Sequence, residues 1–274
     1  MQQSFPSLAI DIVRLLVWLI LLAIIFVPLE RLCKQRRQTI FRKEFAIDLG
    51  YYFLNSLLPK LLLALPLSMI AAGVHHLEPN SLYAWTGNLS IGTRFVLAVV
   101  VGECGAYWGH RWSHQIPILW RFHAIHHSAE QMDWLVNTRA HPLDICFSRL
   151  CGLLPLYLLG LAQPMGNTVD MVPLLYALIG TILSFFVHAN ISWRFGLLEQ
   201  LVTTPAFHHW HHSNDGPESI DKNYAAIFPW MDKLFGTLYL PKHRWPKQYG
   251  IDAPMASSFT GQLLQPLERN LSNY

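Results

Sequence analysis

The chain has 274 residues, of which 52% are hydrophobic and only 14% are charged, and its formal net charge is +3. A soluble domain is about one-quarter charged, so this composition favours a membrane protein. The small net charge, with no long basic tract, disfavours nucleic acid as a partner. The four cysteines form no C-x-x-C motif, which disfavours a disulfide framework or a cysteine zinc site.

Five apolar stretches predict membrane-spanning helices, because about 20 apolar residues cross a bilayer core. They cover residues 8–29, 46–74, 93–109, 145–163 and 171–188. Pro59 and Pro66 interrupt the second stretch, which predicts a kink or a break there. A polar segment at 163–167 separates the last two stretches, which we expect to form a helical hairpin.

Charge sets the expected orientation of these helices. Residues 31–43 are rich in lysine and arginine, which indicates the cytoplasmic side. With an external amino terminus and five crossings, residues 110–144 and 192–274 then lie in the cytoplasm. No stretch after residue 192 is long enough to span. The predicted fold is an all-α integral membrane protein with about four to five transmembrane helices and a cytosolic histidine-rich cap.

Histidines recur at helical spacing in three motifs, one H-x-x-x-H and two H-x-x-H-H. These spacings place imidazoles on one helix face, one turn apart, as metal ligation requires. Chance spacing explains one pair well but three motifs poorly. The ligands predicted from the motifs are His110, His114, His123, His126, His127, His208, His211 and His212.

Two isolated histidines extend the candidate ligand set. His188 lies at the mouth of the last span, and His141 lies in R-A-H-P-L-D. Eight to ten ligands exceed the three or four that one zinc ion takes, so they suit two metal ions. We expect His209 and His243 not to be ligands.

The ligand chemistry leaves the metal open, because imidazole suits iron, zinc, copper and nickel. The chain has no H-E-x-x-H and no serine or cysteine in a nucleophile motif, which disfavours a hydrolase. Iron is preferred if the site activates oxygen. The expected chemistry is oxidation of a substrate that partitions into the membrane.

Three further residues are candidates for catalytic roles: Glu103, Tyr107 and Asp232. Glu103 and Tyr107 precede the first histidine pair at helical spacing, and an ionisable residue at membrane depth is a functional candidate. The alternative for Glu103 is an ion pair with a basic neighbour. Metal-bound histidines also need partners for their second ring nitrogen. The candidates for that role are Asp144, Asn190, Asp221, Asn223 and Asp232.

The sequence resembles the fatty acid hydroxylase superfamily, the membrane sterol desaturase and hydroxylase group. The resemblance covers about residues 95–250, between an anchor region at 1–94 and a tail at 251–274. It rests on motifs that occur in the family's order. They are Y-W-G-H-R-W-S-H at 107–114, F-H-A-I-H-H-S at 122–128, N-T-R-A-H-P-L-D at 137–144, H-A-N-I at 188–191, T-P-A-F-H-H-W-H-H-S at 204–213, D-K-N-Y at 221–224 and W-M-D-K-L-F-G-T at 230–237.

The resemblance implies an oxygen-dependent lipid oxidase with two iron ions, for which zinc can substitute in purified protein. The family's isolated histidine carries over onto His188, whereas Glu103 stands where many members have aspartate. The chain has no room for a fused cytochrome domain, so a separate electron-transfer protein is expected. Hydroxylation is the leading reaction and desaturation the runner-up. A metal-storage or transport protein and a zinc hydrolase remain as alternatives, and oxygen uptake by reduced membranes separates them from an oxidase.

Overall fold

The computed structural model describes residues 4–77, 80–162 and 171–268, and this part of the chain is helical. Within it there is no β-strand, and two isolated antiparallel bridges pair Lys34 with Ile191 and Ser213 with Tyr249. The α-helices are α1 (Ser4–Leu32), α2 (Phe45–Leu77), α3 (Asn80–Gly87), α4 (Ile91–Gln115), α5 (Pro117–His127), α6 (Pro142–Leu158), α7 (Met171–His188), α8 (Pro205–His211), α9 (Trp230–Leu234) and α10 (Phe259–Leu264). Short 3-10 helices cover Trp134–Thr138, Gly196–Gln200 and Gln265–Leu267.

Four of the described helices are long and apolar enough to cross a membrane, which confirms the predicted fold class. The candidate spans are Leu8–Leu32, Phe45–Ile70, Ile91–Gln115 and Met171–His188. The predicted span at 145–163 is not among them. It corresponds to α6, which has 17 residues and is therefore about 26 Å long, slightly less than the roughly 30 Å of a bilayer core. The polar segment predicted to follow it, 163–167, lies outside the described residues.

The second predicted stretch is one continuous helix. Helix α2 runs through Pro59 and Pro66, so the expectation that it could be split is wrong. Exposed large apolar side chains cover α1, α2, α4 and α7. Lipid chains can cover such faces, which in a soluble protein would promote aggregation.

Two glycines let α6 lie directly against α4. A Cβ atom at Gly105 would lie 2.1 Å from the carbonyl oxygen of Cys151, and one at Gly109 would lie 2.6 Å from the Cys151 Cβ. Side chains at these positions would force the helices apart. The close packing brings the first turn of α6 beside the last turns of α4, where the Ser113 hydroxyl donates to Asp144 at 3.5 Å.

Local sequence signals set the ends of the helices that carry histidines. Pro117 occupies the first turn of α5, where its missing N–H costs nothing. In α8, Pro205 occupies the first turn and the Thr204 hydroxyl accepts from the Phe207 N–H at 3.4 Å. These caps start α5 and α8 a short distance before their histidines, so each motif lies within one or two helical turns.

Candidate metal centre

Nine histidines form two groups that could each hold a metal ion. Within each group, one ring nitrogen of every histidine lies within 4.8 Å of those of all the others. The five-histidine group contains His110, His114, His123, His127 and His211. The four-histidine group contains His126, His188, His208 and His212. The structure therefore brings together all eight motif histidines and His188, from α4, α5, α7 and α8.

Six of these imidazoles bond an oxygen atom through Nδ1. The partners are Tyr224 O for His110 (2.7 Å), Asp221 Oδ1 for His114 (3.1 Å), Asp144 Oδ2 for His123 (3.0 Å), Arg139 O for His126 (2.8 Å), Ser184 O for His188 (2.7 Å) and Lys222 O for His211 (2.8 Å). Carbonyl and carboxylate oxygens only accept, so each Nδ1 carries the proton. The Nε2 atom of each ring then presents a lone pair, which is the form that binds metal.

The Nε2 atoms of the four-histidine group face one another at short distances. The Nε2 of His188 lies 3.2 Å from that of His126 and 2.9 Å from that of His208. Neither His126 nor His188 has a proton on Nε2, so these two lone pairs repel unless a cation lies between them. Two imidazole nitrogens that bind one ion at about 2.1 Å, at a right angle, are about 3.0 Å apart. The donor set therefore fits a metal ion.

The five-histidine group meets the same test. His123 and His127 approach through their Nε2 atoms at 3.2 Å. The Nε2 atoms of His114 and His211 are buried and have no hydrogen-bond partner among the described residues. A buried nitrogen without a partner is costly, and a metal ion supplies the missing bond.

Burial also keeps these imidazoles in the neutral form. Burial, reinforced by the charges of neighbouring imidazoles, holds the pKa of five histidines outside the candidate spans well below its usual value. They are His126, His127, His208, His211 and His212. A low pKa lets a metal ion bind at neutral pH without first displacing a proton.

The segment 221–224, D-K-N-Y, supports three ligands of the five-histidine group. The bonds already described join His114 to Asp221, His211 to Lys222 and His110 to Tyr224. Asp221 and Asn223 adopt left-handed backbone conformations, with φ of 57° and 61°. Aspartate and asparagine tolerate that region better than most residues with a Cβ. This backbone lets three nearly consecutive residues present oxygens to three different rings.

The Asn223 side chain fixes that turn in place. Its amide donates to the carbonyl oxygens of Phe207 at 3.0 Å and Tyr239 at 2.7 Å, and its oxygen accepts from the Tyr239 N–H at 2.7 Å. Phe207 lies in α8, next to His208. Asn223 therefore joins the turn to the helix that carries ligands of both groups.

Each of the three predicted catalytic residues hydrogen-bonds a residue of the segment 224–237, which begins at this turn. The carboxylate of Asp232, whose pKa is raised by burial, accepts from the backbone N–H groups of Tyr224 at 2.8 Å and Ala225 at 2.9 Å. Tyr107 shares a 2.8 Å hydrogen bond with the hydroxyl of Thr237, which also donates to Asp232 at 2.7 Å.

Glu103, which lies in α4, bonds the backbone of the same segment at Ile227 and Phe228. Its Oε1 accepts from the N–H groups of Ile227 at 2.8 Å and Phe228 at 3.2 Å. In the described part of the chain, no hydrogen bond joins Glu103, Tyr107 or Asp232 to a ligand histidine. Their nearest link to the centre is through the backbone of Tyr224, which accepts from His110.

The remaining histidines lie outside both groups. His141 was predicted as a ligand, but its Nδ1 accepts from the Leu143 N–H at 3.1 Å and its Nε2 bonds the Leu263 carbonyl at 3.2 Å. It caps α6, so both ring nitrogens are already engaged. His209 is buried between the Tyr249 hydroxyl and the Ala189 carbonyl, and His243 is exposed.

A buried ion cluster behind His126 was missed by the sequence analysis. The guanidinium of Arg139 is fully buried and donates to Asp48 and Glu44, both at 2.6 Å. Asp48 also accepts from Arg42, which donates to Asp133 at 2.7 Å. The cluster fixes the backbone of Arg139, whose carbonyl oxygen accepts from His126.

Asn55 fixes the same backbone from inside α2. Its amide donates to the carbonyl oxygens of Thr138 at 3.0 Å and Ala140 at 2.8 Å, on either side of Arg139. The only sequence signals for this support are the arginine in N-T-R-A-H-P-L-D and two polar residues in the second apolar stretch. Neither signal predicts a contact with the histidines.

Comparison with known proteins gives the same assignment as the motifs. The family model described as fatty acid hydroxylase matches residues 95–237. Ornithine lipid hydroxylase OlsE of Rhizobium tropici is 36% identical over 186 residues, which are 68% of this chain and 54% of that protein. Human alkylglycerol monooxygenase is 31% identical over 153 residues, which are 56% of this chain and 32% of that protein.

A third relative carries a different activity in its name. The Delta(7)-sterol 5(6)-desaturase of Gibberella zeae is 28% identical over 169 residues, which are 60% of this chain and 45% of that protein. The chain thus spans about half the length of the OlsE protein and about a third of the human relative. No solved structure gives a significant match. The family model covers more than half of the chain, and all nine grouped histidines lie within the matched residues, so the chain belongs to the fatty acid hydroxylase family.

Proposed function

We propose that the chain is a membrane-bound hydroxylase that inserts oxygen into a C–H bond of a lipid, with two iron ions in the two histidine groups. The observation that carries the proposal is the pair of groups with four and five imidazoles at the ends of membrane helices. Iron bound there supplies the chemistry that activates oxygen. The balanced reaction is R–H + O₂ + 2e⁻ + 2H⁺ → R–OH + H₂O, with the electrons from a separate electron-transfer protein.

The chain's own residues hold and shield this chemistry. Asp144 and Asp221 orient His123 and His114 through Nδ1, and the carbonyl oxygens orient four more rings. Glu103, Tyr107 and Asp232 act as positioning residues that fix the loop beside His110. Burial of the centre excludes water, which protects reactive species from side reactions.

The substrate class follows from the membrane helices and from the relatives. Lipid chains can reach the centre from the bilayer, because α4 and α7 end at Gln115 and His188, beside the histidine groups. The relatives are named for an ornithine lipid, an alkylglycerol and a sterol. The two with the higher identity are a hydroxylase and a monooxygenase, which favours hydroxylation over desaturation.

The proposed centre lies on the cytoplasmic side. The basic segment after α1 supports this side by the positive-inside rule. Helices α4 and α7 both end at the centre, so α6 has to return the chain across the membrane between them. Cysteine labelling of His243→Cys, at an exposed position, should fail from outside intact cells and should succeed after permeabilisation. Labelling in intact cells would contradict the proposed topology.

The direct test is oxygen incorporation. Membranes with the protein, an electron-transfer system and ¹⁸O₂ should yield a lipid with one added ¹⁸O atom, detected by mass spectrometry. The His126→Ala variant should yield none, whereas the exposed His243→Ala variant should match the wild type. A product with an added double bond and no ¹⁸O would favour desaturation. Absence of any metal-dependent product across lipid classes would contradict the oxidase proposal.

A further inference from the structure

A cavity of about 240 Å³ lies at the end of α1, apart from the histidine groups. Its apolar side is formed by Ala23 and Val27 of α1 and by Phe45 of α2. Its polar side contains Glu30, Asp133 and Asn190, and its rim contains Arg31, Lys34 and Arg36. The candidate span of α1 ends at Leu32, so the cavity lies at the membrane boundary, at the depth of lipid headgroups.

Hydrogen bonds fix the outer wall of this cavity, the segment 34–41. The Arg36 N–H donates to the Asn190 side-chain oxygen, and the Asn190 amide donates to the Arg36 carbonyl, both at 2.9 Å. The Gln38 amide donates to the Met132 carbonyl at 2.8 Å. Lys34 also pairs with Ile191 through a β-bridge. The wall is therefore part of the fold and does not depend on a bound molecule to form.

One carboxylate inside the cavity has no ion pair among the described residues. The Oε1 atom of Glu30 accepts from the N–H groups of Trp134 at 2.8 Å and Asn190 at 2.9 Å. No hydrogen bond or ion pair within the described residues engages its Oε2. Asp133 differs, because the guanidinium of Arg42 bonds both of its oxygens. Glu30 therefore offers a partly desolvated acceptor to a ligand with N–H donors.

The rim has the opposite charge. Arg31 and Lys34 are exposed, and the described part of the chain contains no carboxylate in ion-pair contact with either of them or with Arg36. The Arg36 guanidinium lies over the Tyr249 ring at 4.4 Å and donates to the Pro246 carbonyl. Three cationic side chains thus surround the mouth of a cavity that holds a carboxylate without an ion pair among the described residues.

We propose that this cavity binds the headgroup of a bilayer lipid that carries both a primary ammonium and an anionic group. The ammonium bonds Glu30 Oε2, and the phosphate or carboxylate bonds the rim cations. The lipid chains follow Ala23, Val27 and Phe45 into the bilayer. A headgroup with only an anion would leave Glu30 unpaired, and a quaternary ammonium has no N–H to donate. The site is separate from the metal centre, because no lining residue belongs to either histidine group.

The test is lipid selectivity of the full-length protein. The protein is reconstituted in nanodiscs with equimolar phosphatidylethanolamine, phosphatidylcholine and phosphatidylglycerol, and retained lipid is measured by native mass spectrometry. We expect phosphatidylethanolamine to exceed phosphatidylcholine at least about tenfold, since a charged hydrogen bond is gained. Equal retention of these two lipids would overturn the proposal. A second set of nanodiscs contains an amino-acid lipid, whose anion is a carboxylate, in place of phosphatidylethanolamine. Comparing the retention of the two lipids shows whether the site prefers a carboxylate or a phosphate.

Two variants, Glu30→Gln and Lys34→Gln, test the ammonium contact and the anion contact separately. Glu30→Gln keeps an oxygen that accepts from both backbone N–H groups but removes the charge, so the preference for phosphatidylethanolamine over phosphatidylglycerol should disappear. The matched control is Glu130→Gln, which changes an exposed carboxylate elsewhere and should have no effect. A Glu30→Gln variant with wild-type metal content and an unchanged preference would contradict the ammonium assignment.

The Lys34→Gln variant tests the cationic rim. Because Lys34 is exposed, this substitution should disturb the fold less than Glu30→Gln does. Retention of phosphatidylethanolamine and phosphatidylglycerol should fall together, by several-fold. Unchanged retention of both would contradict the anionic half of the site. If Glu30→Gln does not fold, the wild-type selectivity and the Lys34→Gln variant still decide the proposal.

Discussion

The two histidine groups differ in how their ligands are supported. In the five-histidine group, two of the Nδ1 partners are carboxylates, those of Asp144 and Asp221, and three partners come from the single segment 221–224. In the four-histidine group, the two Nδ1 partners that have been identified are carbonyl oxygens, those of Arg139 and Ser184. The five-histidine group is thus supported by side-chain charge and by the segment 221–224, and the four-histidine group by backbone carbonyl groups and the buried ion cluster.

This difference predicts unequal roles for the two metal ions that we propose. A carboxylate partner makes an imidazole more basic and strengthens its bond to metal. Five imidazoles also leave fewer open positions on an ion than four. We therefore expect the ion in the four-histidine group to be bound more weakly and to have more room for oxygen, and the ion in the five-histidine group to be held more tightly.

The largest expected effect comes from removing a ligand. His126→Ala leaves three ligands in the four-histidine group, so bound metal should fall from about two ions to about one per chain. His211→Ala leaves four ligands in the other group and should cause a smaller loss. Elemental analysis of purified protein measures both. Equal losses from the two variants would contradict the inequality between the groups, and full occupancy in both would contradict the ligand assignment.

The next effect concerns the ion cluster behind the four-histidine group. Asp48→Asn leaves the Arg42 and Arg139 guanidinium groups without a shared buried anion, which should lower the free energy of unfolding by about 3–5 kcal/mol. Thermal unfolding in detergent measures the loss. Asp11→Asn is the control, because its ion pair with Arg14 at 3.6 Å is exposed. Comparable melting temperatures for the two variants would show that the cluster is not a major source of stability.

The contrast between the groups also explains what the sequence could predict. Metal ligation needs a side chain, so eight of the nine grouped histidines are visible in the sequence at helical spacing, and His188 is visible as an isolated histidine at the mouth of a span. Asp144 and Asp221 are among the five predicted partners. The carbonyl partners were not visible, because every residue has a carbonyl group and only the fold selects which one faces a ring. Arg139 and Asp48 were missed for a related reason, since their contacts join residues about 90 positions apart in sequence.

Other expectations need the fold as well as the sequence. His141 is predicted as a ligand from its place in R-A-H-P-L-D, yet its ring caps α6 and bonds Leu263, so its role as a ligand stays a prediction. The prolines of α2 predict a kink or a break, and the helix continues through both. For Glu103, Tyr107 and Asp232, the sequence predicts a catalytic role, and the structure shows hydrogen bonds to residues of the segment 224–237. Their catalytic role stays a prediction, which we replace in our proposal by a positioning role.

A smaller effect should distinguish the carboxylate partners from the carbonyl partners. Asp144→Asn keeps the size of the side chain but removes the charge next to His123, and should weaken metal binding in the five-histidine group by about 10- to 100-fold. Competition with a chelator measures the affinity of each ion. Asn214→Asp, at an exposed site near Asp252, is a control for an unrelated charge change. Faster loss of the other ion instead would reverse the assignment of support to the groups.

The smallest effect should come from the histidine outside both groups. His141→Ala removes the ring that accepts from the Leu143 N–H, so α6 loses its amino-terminal cap at a cost of about 1 kcal/mol. His141→Asn restores a side-chain acceptor at the same position and should recover most of that stability. Metal content should stay at the wild-type value in both variants, because His141 belongs to neither histidine group and both of its ring nitrogens bond backbone groups. Loss of metal in His141→Ala that His141→Asn does not restore would instead make His141 a tenth ligand, and it would require the first turn of α6 to rearrange when metal binds.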